Sequence, residues 1–83
     1  DPFLTGNVHA KAKPSEIKVD AVLVSHGHGD HVGDAVEIAR HNACVVVSNF
    51  EIANWLGAQN VKTHAQHLGG GHQHPFGYVK LTL

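Results

Sequence analysis

Eighty-three residues allow one small domain, because a chain of this size buries only about 60% of the surface its unfolded form exposes. A composition of 42% apolar and 16% charged residues is globular, and six basic against seven acidic side chains, net −1, excludes a nucleic-acid partner held by bulk charge. No apolar run approaches the roughly 18 residues of a membrane span, so no membrane partner is expected, and Cys44 stands alone, which rules out an internal disulfide framework and fits a cytoplasmic setting.

In chain order, residues 1–14 read as irregular, punctuated by Pro2, Gly6, Asn7 and Pro14. Ser15 to Lys18 reads as a short helical turn. Val19 to Ser25 is a dense apolar run of the length of a strand buried on both faces. From Val32 to His41, Val32, Ala35, Val36 and Ala39 recur at i, i+3, i+4 and i+7, one face of a helix. Ala43 to Val47 is a second buried-type strand. Ser48 and Glu51 have capping-box spacing, with Ser48 as N-cap of a helix whose apolar face is Ile52, Trp55 and Leu56 and whose stop is Gly57. Val61 to Ala65 predicts a third strand, His67 to His74 a Gly/His-rich loop, and Phe76 to Leu83 a final strand. Strands alternating with helices imply an α/β fold with an at least partly parallel sheet. The chain begins at Asp1, and the alternation of Val79, Leu81 and Leu83 with polar neighbours runs to the last residue. We therefore expect a single domain, 1–83, that is an excerpt of a longer one.

The chemistry concentrates in His26-x-His28-x-Asp30-His31, directly after the first strand. Residues i and i+2 of an extended segment point the same way, so His26 and His28 can reach one ion. Asp30 and His31, past a turn, can face a second. Gly27 and Gly29 let the backbone fold tightly and visit positive φ. The carboxyl end of a strand is where open α/β sheets place their sites. Imidazole and carboxylate donors suit Zn²⁺, one or two ions, with Mn²⁺ or Fe²⁺ as rivals. Paired ions of this kind activate water for hydrolysis. The alternative for such a stretch is a polar glycine-rich turn with locally bonded histidines.

The stretch resembles the signature of the metallo-β-lactamase superfamily. Asp1 to Asn7, Ser25 to Asp34, Asn49 to Asn54, Pro75 to Gly77 and Val79 to Leu83 together resemble the bacterial and archaeal metal-dependent hydrolases of its ascorbate-phosphate lactonase-like branch. The resemblance implies an αββα sandwich, of which this chain would be one βαβαβ half, a mixed sheet with helices on one face. It implies that His26 and His28 hold a first metal, Asp30 and His31 a second, that Asp30 is catalytic in moving a proton, and that Asp1 steadies the site from behind the ligands. In the family a third histidine, a bridging aspartate and a last histidine follow the position of Leu83.

Among the other histidines, His72 and His74 repeat the i, i+2 spacing and are candidate extra ligands, although the family gives them no such role and a solvent-exposed loop is the plainer expectation. His9 and His41 read as surface residues. Cys44 reads as a buried small hydrophobe. Two functions remain open: a metal-dependent hydrolase using activated hydroxide on an ester, lactone or phosphoester substrate, or a non-catalytic metal-binding or self-assembling module. An apolar sheet face left uncovered by half a sandwich predicts a homo-oligomer.

Overall fold

The computed structural model describes residues 1–82. Five strands and three helices follow a 3₁₀ turn at Pro14–Glu16: β1 (Ala21–Leu23), α1 (Gly29–Val32), α2 (Ala35–Asn42), β2 (Val45–Ser48), α3 (Phe50–Gly57), β3 (Thr63–Ala65), β4 (Gly71–His74) and β5 (Gly77–Lys80). β1, β2 and β3 form a parallel sheet in that order, with Val22 opposite Val46 and Val47 opposite His64. This is the βαβαβ unit expected from alternating strands and helices.

The core lies on one face of this sheet. Val22, Val24 and Val46 point at Ala35, Ile38 and Ala39 of α2 and Leu56 of α3, and Cys44, Val61 and Val32 close the cluster. Both helices therefore cover the same face. Side chains alternate along a strand, so Val47 points to the opposite face, and its register partner His64 points there with it. The ladder continues past β1: the Val24 amide donates to Val47 O at 3.0 Å, and the Ser48 hydroxyl donates to Val24 O at 2.8 Å.

Several sequence expectations are corrected. The antiparallel strands do not join the parallel sheet: β4 and β5 make a separate two-stranded hairpin, with His72 opposite Val79 and His74 opposite Gly77. The segment read as a loop through His74 thus ends in a strand. Its partner β5 is the strand expected over Phe76 to Leu83, which runs from Gly77 to Lys80; Leu83 lies outside the described residues. The helix expected over Val32–His41 is two helices, because Gly33 turns to φ +43° and ends α1. The cap of α3 is Asn49, whose side-chain oxygen accepts from the Ile52 amide at 3.0 Å. Ser48 is fully buried in β2 and its hydroxyl is already committed to Val24. Trp55 is 57% exposed, whereas its neighbour Leu56 is buried.

Candidate metal centre

The His26–His31 stretch leaves the carboxyl end of β1, and α1 begins within it, with His28 in the extended conformation of an N-cap. Gly27 and Gly29 are not among the positive-φ residues, and Gly33 is. The turn at Gly33 has a specific use. A Cβ there would lie 2.2 Å from Pro2 O, so the N-terminal segment can dock only against a glycine. That docking is extensive. The Asp34 amide donates to Pro2 O at 2.9 Å, and the Asp34 carboxylate accepts from the Leu4 amide, the Thr5 amide and the Thr5 hydroxyl at 3.0, 2.8 and 2.7 Å. Burial works to raise the Asp34 carboxyl, but the donors from Thr5 and Leu4 outweigh it and hold the group below the usual carboxylate range.

The docked segment delivers Asp1 to the histidines. Its carboxylate accepts from the Ser25 amide at 2.7 Å and the Ser25 hydroxyl at 2.6 Å, and the Asp1 amino group donates to Leu23 O. The Ser25 hydroxyl also lies 2.8 Å from His26 Nδ1. A hydroxyl has one hydrogen, and here it goes to Asp1. Ser25 must therefore accept from His26 Nδ1–H, which leaves the lone pair of His26 on Nε2. That Nε2 lies 3.0 Å from His28 Nδ1. The bare Nε2 accepts a hydrogen bond from His28 Nδ1–H there, and because two ligand atoms about 2.05 Å from one ion at the tetrahedral angle are about 3.3 Å apart, the pair would span a cation that replaced this hydrogen.

His31 faces both carboxylates. Its Nε2 is 3.9 Å from Asp30 Oδ2, within the roughly 4.1 Å that two donors to one ion can span. Its Nδ1 is 3.3 Å from Asp1 Oδ2 but is not aligned for a hydrogen bond, and it is a buried side-chain nitrogen without a partner. Asp1, His26 and His31 bring one donor atom each within 4.8 Å of one another. Desolvation lowers the His26 pKa, the positive forms of His31 and His28 lower it further, and Asp30 opposes them. A neutral imidazole is the form that binds metal. The imidazoles of His26, His28 and His31, each offering one nitrogen, and two carboxylates in one patch form a donor set that fits a divalent cation of the zinc type.

His9 and His41 are exposed. Cys44 is buried, and its thiol is pushed up, chiefly by desolvation, so it stays protonated and inert. His72 and His74 do not join the patch at β1. They meet His64 instead, and one donor atom from each of the three falls within 4.8 Å of the others. The i, i+2 spacing pointed to His72 and His74. His64 lies in the same histidine-rich stretch, but only the approach of β3 to β4, which nothing in sequence shows, brings it to the other two. The His74 pKa is lowered by desolvation first and by the two neighbouring imidazoles after it.

A parallel βαβ sheet carrying this donor set beyond its first strand marks a metal-site α/β domain. The chain belongs to the metallo-beta-lactamase superfamily, whose family model matches residues 1–81. It is similar to proteins named UPF0173 metal-dependent hydrolase: 60% identical to one from Bacillus cytotoxicus, 58% to one from Bacillus cereus strain AH187 and 54% to one from Bacillus pumilus. Each match covers 99% of this chain and 36% of the relative, so the chain spans about a third of the length of these relatives. A metal cofactor is what membership with such relatives implies.

Proposed function

We infer that this chain carries the leading part of the metal centre of a hydrolase acting on a small ester, lactone or phosphoester, with zinc as the resident ion. The observation that carries this reading is the convergence of His26 Nε2 and His28 Nδ1 at 3.0 Å, with Asp30 and His31 3.9 Å apart beside them. His26 and His28 would hold one ion, and Asp30 and His31 a second. A divalent cation bound there would supply Lewis acidity and lower the pKa of water.

The protein's own groups do the rest. Ser25 fixes the His26 tautomer, and Asp1 holds Ser25 while standing beside His31 Nδ1. Asp30 is the more exposed carboxylate, at 62% for its side chain. It is therefore the group placed to take a proton from solvent-side reactants and return it to a leaving group. Two donors per ion fall short of the three or four that hold zinc firmly. The remaining donors would come from sequence beyond this stretch or from a second copy. We also expect self-association through the sheet face opposite the helices, where Leu23 is half exposed.

Native mass spectrometry with and without added zinc tests the centre and the assembly together. Bound zinc that disappears in His28→Ala, with an unchanged circular dichroism spectrum, supports the reading. Zinc retained by His28→Ala at the patch, or no zinc bound by the parent chain, overturns it. A strict monomer at micromolar concentration would sink the self-association.

The competing reading, a metal-binding or assembly module without catalysis, is favoured by the count of donors. A coordination shell closed entirely by protein atoms, seen by X-ray absorption, would select it.

A further inference from the structure

We propose that His64, His72 and His74 form a second metal site, built on β3 and β4, that takes one zinc-class ion independently of the patch at β1. The two groups share no residue, and they grow from different strands.

The geometry of the triad is mutual. Ring centroids of His64 and His72 are 4.4 Å apart, those of His64 and His74 4.7 Å, and those of His72 and His74 4.6 Å. His72 and His74 are two residues apart on β4, so both side chains leave the hairpin on one side. His64 projects from the face of the parallel sheet that the helices do not cover. The triad thus bridges the two sheets.

Surrounding groups prepare His74 for a ligand's role. Gln66 is buried, and its Nε2 lies 3.1 Å from Val79 O and 3.4 Å from Gly70 O. Both partners are carbonyls, so the amide nitrogen is the donor there and Oε1 faces the other way. Oε1 stands 3.0 Å from His74 Nε2, which must therefore carry the hydrogen. The neutral ring then has its lone pair on Nδ1, free for a cation. A ligating histidine that donates its other N–H to a fixed oxygen is the usual support of a metal site. The Phe76 ring stacks on His74 at 4.8 Å and 13°, which restrains the imidazole plane. His74 is only 6% exposed, while His72 is exposed and His64 half-buried. An entry path exists, since His64 and His74 line an open groove of about 750 Å³ with Asp20 and Phe76.

Three imidazoles and no carboxylate within the group select Zn²⁺, Ni²⁺, Co²⁺ or Cu²⁺ over Mg²⁺ and Ca²⁺. Three protein ligands leave a fourth position for water or a small anion from the groove.

The test is a zinc titration of the uniformly ¹⁵N-labelled chain, followed by long-range ¹H–¹⁵N spectra of the histidine rings. These resolve each site without disabling the other. At one added equivalent beyond the β1 patch, His74 should show a coordinated Nδ1 with Nε2 still protonated, and His64 and His72 should shift in step with it. His72→Gln changes an exposed residue and leaves the fold in place. It should weaken zinc binding at His64 and His74 by about 10-fold or more while the His26 and His28 shifts persist. Unmoved His64, His72 and His74 resonances at saturating zinc would overturn the proposal. So would a His74 ring coordinated through Nε2, or triad shifts indifferent to His72→Gln. Loss of the His26 and His28 shifts alone would count against the proposed function and leave the triad standing.

Discussion

Ser25 and Asp34 show how single side chains decide the state of the histidine patch beyond β1. The Ser25 hydroxyl stands between Asp1 and His26 and sets which imidazole nitrogen is bare. Ser25→Ala should leave the fold intact and weaken zinc binding at His26 and His28 by about 10-fold. Calorimetric titration showing wild-type affinity would remove Ser25 from the site. Asp34 acts one step further out, through the three donors from Leu4 and Thr5. Its folded-state pKa lies below the unfolded value near 3.8, so the unfolded chain binds the proton first. The stability it contributes is complete above that value and is lost as pH falls through the lower, folded one. Asp34→Ala should cost about 1–3 kcal/mol at neutral pH and flatten urea-melt stability between pH 4 and the acid limit. An unchanged pH dependence would assign the acid sensitivity elsewhere. That His26, His28, Asp30 and His31 lie in one patch was legible in sequence, because their spacing keeps them together at the end of β1. The roles of Ser25 and Asp34 were not, because they depend on the N-terminal segment crossing over residues some 30 positions away.

Among the elements, the break between α1 and α2 carries the most. Gly33→Ala must push Pro2 away from a Cβ 2.2 Å from its oxygen and also strain a positive φ. We expect a loss of about 2 kcal/mol, together with weaker zinc binding, because Asp1 is displaced along with Pro2. Equal metal affinity in Gly33→Ala and the parent would show that Asp1 is dispensable. Periodicity gave α2 and α3 with sound cores at Ala35, Ala39 and Leu56, but it could not see Gly33 dividing the first helical run. It also placed the α3 cap one residue early. Ser48 and Asn49 are both good caps by type, and only the burial of Ser48 under Val24 O decides between them. β4 escaped notice for a different reason. Gly71 to His74 carries no apolar alternation, and its strand is made by pairing with β5 rather than by burial.

At the scale of the whole molecule, stability rests on one side of a three-stranded sheet. Leu56 is fully buried in that core, in one cluster with Val24, Val46 and Ile38. Leu56→Ala should cost about 2–5 kcal/mol, a large share of the stability available to a domain this small. A loss under about 1 kcal/mol in urea melts would mean that the core collapses around the gap. The α/β class and the buried strands were readable from the apolar runs. The division into two sheets was not, since hairpin and parallel strands look alike in composition. No helix among the described residues is long and apolar enough to cross a membrane.

The strap formed by residues 1–5 is fastened chiefly by polar contacts at the surface, with Leu4 packed against the edge of the core. Such a segment can lift away by local opening, far below the energy of global unfolding. Each opening would carry Asp1 off Ser25 and His31 while Val46 and Leu56 stay packed. Amide hydrogen exchange at Leu4 and Thr5 then becomes a clock for the intact patch. A cation that binds only the closed form should slow that clock, in proportion to its occupancy, without touching exchange at Val46.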